Sequence, residues 1–320
     1  MLPSTHVLFE NPAWLPPLVT ALEAEGFPVV LHDLATGMVD PGREPDDGIW
    51  LNRISPSAHT RGHGASVALM HEVLSWLESA GRRVINGSRA FALEVSKLRQ
   101  DLALRRHGIL TPKTVLAVGR ERILEAAADF EAPFLIKHNQ GGKGLGVQLL
   151  HDLAELQAHL DSPAFDPGPH AQVVVQQYIR APEPHITRVE LVGGKFLFAM
   201  QSSTVGGFEL CPSDVCQAEK AKPEVCPADG SATFTASPLQ AHDPLVRQYE
   251  RFCQAEGLDV AGIEFIEGED GRRYTYDINA NTNYNAVLGK QLGIDGMREV
   301  ARWLRRSAAK DDAERSLRSA

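Results

Sequence analysis

Between residues 134 and 147 an apolar run, Phe134-Leu135-Ile136, ends in Lys137 and passes straight into His138-Asn139-Gln140-Gly141-Gly142-Lys143-Gly144-Leu145-Gly146-Val147. Glycines let backbone N–H groups turn toward an anion without interference from a Cβ. Lys137 adds a fixed cation at the strand end. A fold that uses this segment must therefore bring the end of a buried strand and an anion-holding loop to one cleft. Taken alone, the loop is equally well explained as a flexible turn with a solvated Lys143. It is not a Walker A loop, because Gly144 rather than Ser or Thr follows Gly142-Lys143 and Lys137 stands where the leading glycine would be. The G-x-G-x-x-G spacing of dinucleotide sites is also missing.

A second pattern lies downstream. Gly262-Ile263-Glu264-Phe265 and Tyr276-Asp277-Ile278-Asn279 read as two strands of a hairpin, with the charged turn Glu267 to Gly271 between them. Alternation along the second strand puts Thr275, Asp277 and Asn279 on one face and Tyr274, Tyr276 and Ile278 on the other. Two carboxylates and an amide that converge in this way are hard oxygen donors suited to Mg²⁺ held together with phosphates. The alternative is a polar, solvated sheet face. The following Asn279-Ala280-Asn281-Thr282-Asn283-Tyr284-Asn285 favours a shaped polar loop. Upstream, Val173 to Ile179 is a strand running into a polar-aromatic hinge, and Arg188 opens a later hairpin from which a guanidinium could reach an anion bidentately.

The rest of the chain supplies the frame. His6 to Phe9, Val29 to Leu31 and Gly48 to Leu51 read as buried parallel strands. They alternate with a helix over Leu18 to Glu25 and another carrying Val67, Met70, Leu74 and Leu77, which is a βαβ pattern. A helix starting near Ser96 carries Leu98, Leu102 and Leu104 and stops at Gly108. Beyond Pro184 the chain turns β-rich, with Val189 to Val192 and Lys195 to Met200 joined by Gly193-Gly194. Gly206 to Ser237 is a long irregular stretch holding three of the four cysteines. A last helix passes through Val300 to Trp303, and fraying is expected from Ala308 onward.

Composition narrows the classes. A net charge of -9 excludes general nucleic-acid binding. No apolar run approaches the roughly 18 to 20 residues of a membrane span, and the start has no signal-peptide pattern, so a cytoplasmic protein is expected. Cys211, Cys216, Cys226 and Cys253 are too few for a disulfide framework and fit no standard zinc spacing. His59 and His63 stand four apart, but Arg61-Gly62 between them favours a loop over a metal-binding helix. No Gly-x-Ser-x-Gly elbow supports a hydrolase.

Taken in order, these motifs resemble the ATP-grasp superfamily, most closely its α-L-glutamate ligase branch, over nearly the whole chain and most strongly from Gly87 to Asn285. The resemblance implies an α/β ATP-grasp fold: an N-terminal βαβ domain over residues 1–95, a central lid subdomain over 96–180, a C-terminal β-rich subdomain over 181–308 and a tail over 309–320. It implies that Lys97 and Lys137 contact the nucleotide phosphates beneath the loop of Gly141, Gly142, Lys143 and Gly144. Adenine then packs beside Gln177, Tyr178 and Ile179, Glu264, Asp277 and Asn279 hold Mg²⁺ (or Mn²⁺), and Arg188 lies at the transferring phosphoryl group. The activity implied is ATP-dependent joining of a carboxylate to an amine through an acyl phosphate, on small amino-acid-like or peptide substrates, with a homodimer as the base-rate assembly. The rivals are a kinase-like phosphotransferase and a nucleotide-binding regulatory module. The chain departs from the family pattern in three places. Asp277 stands where Glu is usual. Ile186 occupies the usual place of the ribose-binding acid, leaving Glu183 as the substitute. Gly206 to Pro212 lacks the basic, Asn-containing stretch of the glutamate ligases, so the resemblance does not carry a substrate with it.

Overall fold

The computed structural model describes residues 2–142, 144, 146–204 and 234–318. Three sheets follow one another along the chain. The first comprises β1 (Thr5–Phe9), β2 (Val29–Asp33), β3 (Ile49–Arg53) and β4 (Arg83–Ile85), all parallel in the order β2-β1-β3-β4. Helix α1 (Pro16–Ala24) buries Leu18 and Leu22 on one face, and α2 (Gly64–Ser79) buries Met70, Leu74 and Leu77 on the other. Only β2 departs from the expectation of a buried strand. It lies at the sheet edge with one neighbour, and Val30 and Leu31 are 38% and 48% exposed. β4 and the short α3 (Ser88–Glu94) carry too few apolar repeats to show a period in the sequence.

α4 (Lys97–Arg106) starts at Ser96, whose hydroxyl accepts the Arg99 N–H as an N-cap. Its buried face is Gln100, Asp101, Ala103 and Leu104, while Leu102 points outward. The middle sheet is antiparallel and combines β5 (Thr114–Val118), β6 (Phe134–His138), β7 (Gln148–Leu150) and β8 (Gln172–Gln177) in the order β5-β8-β6-β7. Helices α5 (Arg120–Ala128) and α6 (Leu153–Asp161) cover one face, over a core of Ile123, Leu156, Phe134, Ile136, Val173 and Val175. The glycine loop joins β6 to β7.

The last sheet is β11-β10-β9-β12-β13, antiparallel throughout, built from β9 (His185–Val192), β10 (Lys195–Ser203), β11 (Phe234–Ala236), β12 (Val260–Glu267) and β13 (Arg273–Asn279). Gly193 and Gly194, both at positive φ, make the tight turn between β9 and β10. Helix α7 (Pro244–Glu256) packs Val246, Tyr249 and Phe252 on one face of this sheet. α8 (Ala286–Leu292) and α9 (Gly296–Arg318) close the chain. α9 does not stop at Ala308, which is itself buried beside Leu304 and Val300 on the first sheet's core, and the helical backbone continues through Arg318. Cys211, Cys216, Cys226 and most of the long irregular stretch lie outside the described residues, as does Lys143. Among the described residues no helix is long and apolar enough to cross a membrane.

Candidate active site

The face of the last sheet opposite α7 meets the middle sheet and the strand ends of the first across a cavity of about 450 Å³. Strand alternation explains what enters it. On β6, Phe134 and Ile136 face the helices, so Leu135 and Lys137 face the cavity. On β8, Val173 and Val175 face the helices and Gln176 the cavity. The Lys137 ammonium donates to Gln176 Oε1 at 2.8 Å, and Gln176 Nε2 donates to Thr114 Oγ1 at 2.9 Å. Burial, reinforced by the neighbouring Lys97 charge, pulls the Lys137 ammonium down to about 7.

The acidic part rests on strand register. Arg188 on β9 lies opposite Glu264 on β12, and Glu264 lies opposite Asp277 on β13, so the three form one row across the sheet. Arg188 Nη1 donates to Glu264 Oε1 at 2.8 Å and its Nε to Glu190 Oε1 at 2.7 Å. Burial opposes the Arg188 charge, but Glu190 and Glu264 outweigh it and raise its proton affinity. Gly262 makes room for this guanidinium: a Cβ there would lie 2.2 Å from Arg188 Nη2. Asp277 accepts from Lys97 Nζ at 2.5 Å and from Asn279 Nδ2 at 3.2 Å. Burial would raise the Asp277 carboxyl, but Lys97 and then Lys137 hold it below the usual range. Glu264, buried beside Asp277, is raised despite Arg188.

One expectation about faces is corrected. The register slips between Glu264 and Phe265, so Tyr276 and Asp277 together oppose Glu264 in a β-bulge. Tyr276 therefore joins Asp277 and Asn279 at the cavity, its hydroxyl donating to Glu264 Oε2 at 3.1 Å. Thr275 drops to the far face, where its hydroxyl meets Tyr249 Oη at 2.6 Å.

Lys97 is fixed at the other side by Asn139. The Asn139 carbonyl accepts the Lys97 N–H at 3.0 Å, and its side chain accepts the Leu98 N–H at 3.0 Å, tying the start of α4 to the end of β6. Gly141, Gly142 and Gly144 line the cavity. The His138 ring lies against Gly146 and Gly168, where any Cβ would come within 2.7 Å of it. Gln177, Tyr178 and Ile179 form a wall at the end of β8, completed by Pro112, Leu135, Ile186 and Ile266. This apolar slot was not read from the sequence, although Ile186 and Ile266 stand two residues from Arg188 and Glu264 on the same faces.

The cavity thus brings together Lys97, Lys137, Arg188, Glu264, Asp277, Asn279, the loop glycines Gly141, Gly142 and Gly144, and the hinge. Glu183 is not among its lining residues. Its side chain is 76% exposed and lies 3.5 Å from His185, because the segment before β9 turns it away from the face that Ile186 and Arg188 share. The loop Thr60 to Gly64 also stays off the cavity wall, where Ser55, Pro56 and Ser57 stand instead. His59 Nδ1 meets the Pro56 carbonyl, whereas His63 Nδ1 meets Glu10. The polar loop Asn281 to Asn283 lines the cavity, and Glu94 and Trp14, which no sequence motif marks, line it too. Burial raises the Glu94 carboxyl to about 7, against the pull of the Ala280 N–H that it accepts. Among the described residues no three His, Cys, Asp or Glu side chains cluster. Two carboxylates plus an amide are nevertheless a fitting set of oxygen donors for Mg²⁺ shared with phosphates.

Known proteins resemble this chain in sequence and in fold. Residues 95–210 match the family described as RimK-like ATP-grasp domain. The beta-citrylglutamate synthase B of Danio rerio is 25% identical over 70% of this chain, which spans about half (50%) of that protein's length. A ribosomal protein bS6–L-glutamate ligase from Shigella flexneri serotype 5b (strain 8401) is 25% identical over 73% of this chain and 71% of its own. Among solved structures, the RimK domain ATP-grasp protein of Sphaerobacter thermophilus DSM 20745 superposes with a TM-score of 0.67 at 20% identity, covering 94% of this chain and 98% of that one. Residues 95–210 carry a RimK-like ATP-grasp domain, set in an ATP-grasp fold that extends over nearly the whole chain.

Proposed function

We propose that this chain is an ADP-forming carboxylate–amine ligase that uses ATP and Mg²⁺ to make an amide or peptide bond through an acyl phosphate. The observation that carries the reading is the convergence on one cavity of two lysines with the Arg188–Glu264–Asp277 row. A cavity that only bound nucleotide would have no use for two acids and an amide set opposite two lysines.

The chemistry follows from the groups present. A carboxylate resists attack by an amine because its leaving group would be oxide. Its oxygen attacks the γ-phosphorus, the bond from phosphorus to the bridging oxygen breaks, and ADP leaves. The amine nitrogen then attacks the acyl carbon, the bond to the phosphate oxygen breaks, and the amide, phosphate and a proton result. Phosphoryl transfer asks mainly for positioning and charge neutralisation. Lys97, Lys137 and the amides of Gly141, Gly142 and Gly144 hold the phosphates. Glu264, Asp277 and Asn279 would hold Mg²⁺, which when bound neutralises phosphate charge. Arg188 steadies the transferring group and later the oxyanion at the acyl carbon. Tyr178, Ile179, Leu135 and Ile266 keep water from the adenine end.

The bS6–L-glutamate ligase named above joins glutamate to a protein, and amino-acid-like or peptide substrates are the class proposed here. The test is ADP and phosphate release from ATP and Mg²⁺ with pooled small carboxylates and pooled amino acids. Release that needs both pools supports the ligase. Release with the carboxylate pool alone, forming a stable phosphorylated product, supports a kinase-like phosphotransferase. No turnover with any mixture leaves a nucleotide-binding module.

A further inference from the structure

Two buried arginines meet at Thr282 and are treated differently. Arg188, 4% exposed, donates to the Thr282 hydroxyl at 2.9 Å and is neutralised by Glu190 and Glu264. Arg53, 8% exposed at the C-terminal end of β3, donates to the Thr282 carbonyl at 3.0 Å and to the side-chain oxygen of Asn283. Both partners are neutral, and no carboxylate among the described residues pairs with it. Burial pulls its guanidinium down to about 10, and it stays charged at neutral pH. Tyr284 and then Glu94 act on it through space, and burial raises the Glu94 carboxyl itself to about 7. An uncompensated buried cation costs several kcal/mol unless an anion joins it.

The charge does not open directly on the cavity; Asn283 does. Arg53 can only donate, so it fixes the Asn283 amide with its oxygen inward and its NH₂ group toward the cavity. Among the described residues that NH₂ group has no partner. Asn281 locks the same contact from the other side by donating to the Arg53 carbonyl at 2.9 Å. The same cavity is lined by Ser55 and Ser57, whose hydroxyls are 2.8 Å apart, just after the C-terminal end of β3, where α/β folds place ligands. Arg61 supports Ser57 from behind, but its charge is met by the fully buried Glu10 at 2.7 Å. The one unmet positive field at this end of the cavity comes, among the described residues, from Arg53.

We propose that Asn283, polarised by Arg53 and flanked by Ser55 and Ser57, forms a subsite for a substrate carboxylate at the end of the cavity away from the nucleotide hinge. The inference rests on the ligase reading for its role in catalysis, and on geometry alone for anion binding. Arg53 acts here as a positioning residue, through Asn283. Two sources share the chemistry: the carboxylate that is activated, and a second carboxylate carried by the amine, as in an amino acid.

The test is thermal unfolding of the full chain with ADP and Mg²⁺, with acetate, glutarate or L-glutamate against chloride at matched ionic strength. In wild type at least one carboxylate raises Tm above chloride, and the rise disappears in Arg53→Met and in Asn283→Ala. Should Arg53→Met fail to fold, Asn283→Ala decides, since it leaves the guanidinium in place. A wild type that no carboxylate stabilises, or an Asn283→Ala protein stabilised as much as wild type, overturns the subsite. In turnover assays Asn283→Ala raises KM for one carboxylate-bearing substrate about tenfold and leaves KM for ATP unchanged. Replacing amino acids by their carboxamides then identifies the source. Lost turnover means that the amine carries the carboxylate, and retained turnover means that the subsite holds the activated one. Failure of the ligase reading shows separately, as no ADP formation from any pair of pools.

Discussion

The Lys97 ammonium sits 2.5 Å from Asp277 Oδ1, so the lysine proposed to bind phosphate and the acid proposed to bind metal neutralise each other. Each holds the other's place. On the proposed reading, a metal–nucleotide complex would let Lys97 exchange a carboxylate for phosphate and Asp277 an ammonium for the ion, without leaving a buried charge alone.

Asp277→Asn keeps the shape of this pair and removes its charge. It should lower ATP turnover by about 10²-fold or more, on the scale of losing one metal-orienting group, with the fold intact. Steady-state ADP formation and circular dichroism check both parts. Turnover at the wild-type rate removes Asp277 from the metal site.

Lys137→Met separates function from stability. Burial and Lys97 depress the Lys137 ammonium from 10.5 to about 7. Between those values the unfolded chain binds a proton that the folded chain does not. The folded state therefore gains stability as pH rises from about 7 toward 10.5 and gives it back as pH falls over the same window, levelling off below about 7. Removing the amine should abolish turnover while stabilising the ligand-free protein at neutral pH by about 1 kcal/mol or more. A Tm that falls on substitution contradicts the assignment of strain to this lysine.

The same depressed lysine predicts a proton effect on binding. Phosphate oxygens favour the charged ammonium, so nucleotide binding just above neutral pH should take up about one proton or a fraction of one. Calorimetric titrations in buffers of different ionisation enthalpy measure this directly. Proton release, or no dependence on buffer, places the triphosphate away from Lys137.

Gly262→Ala tests the Arg188 cradle. The new Cβ would meet a guanidinium pinned by two carboxylates and Thr282, so the arginine must move. A displacement near 1 Å at a positioned group costs about 10²-fold in rate. The expectation is a fall in kcat of that order, with KM for ATP little changed. An unchanged kcat means that Arg188 does not act at the reacting atoms.

Much of this was readable in the sequence, for reasons that differ by residue. Lys137 and the loop glycines stood out because strand and loop are contiguous, and Glu264 and Asp277 because hairpin register brings near sequence neighbours together. Tyr276 was assigned to the wrong face because a bulge adds one residue, and the two-residue period cannot show where. Glu94, Asn283 and Trp14 reach the cavity, and Arg53 reaches Asn283 behind it, only through tertiary contact between distant segments. Arg53 and Thr282 are in hydrogen-bond contact although far apart in the chain, and no local pattern marks such a pair. Glu183 is an acid near the usual ribose-binding place in sequence, but the segment before β9 directs it to solvent.

The central claim is that two lysines and the acid–acid–amide set enclose one triphosphate. A crystal structure of the full chain with a non-hydrolysable ATP analogue and Mg²⁺ tests it most directly. The account predicts β- and γ-phosphate oxygens within hydrogen-bond reach of Lys97 and Lys137, and Mg²⁺ on Glu264, Asp277 and Asn279. Phosphates bound elsewhere, or Lys97 still paired with Asp277 beside a bound nucleotide, would contradict it.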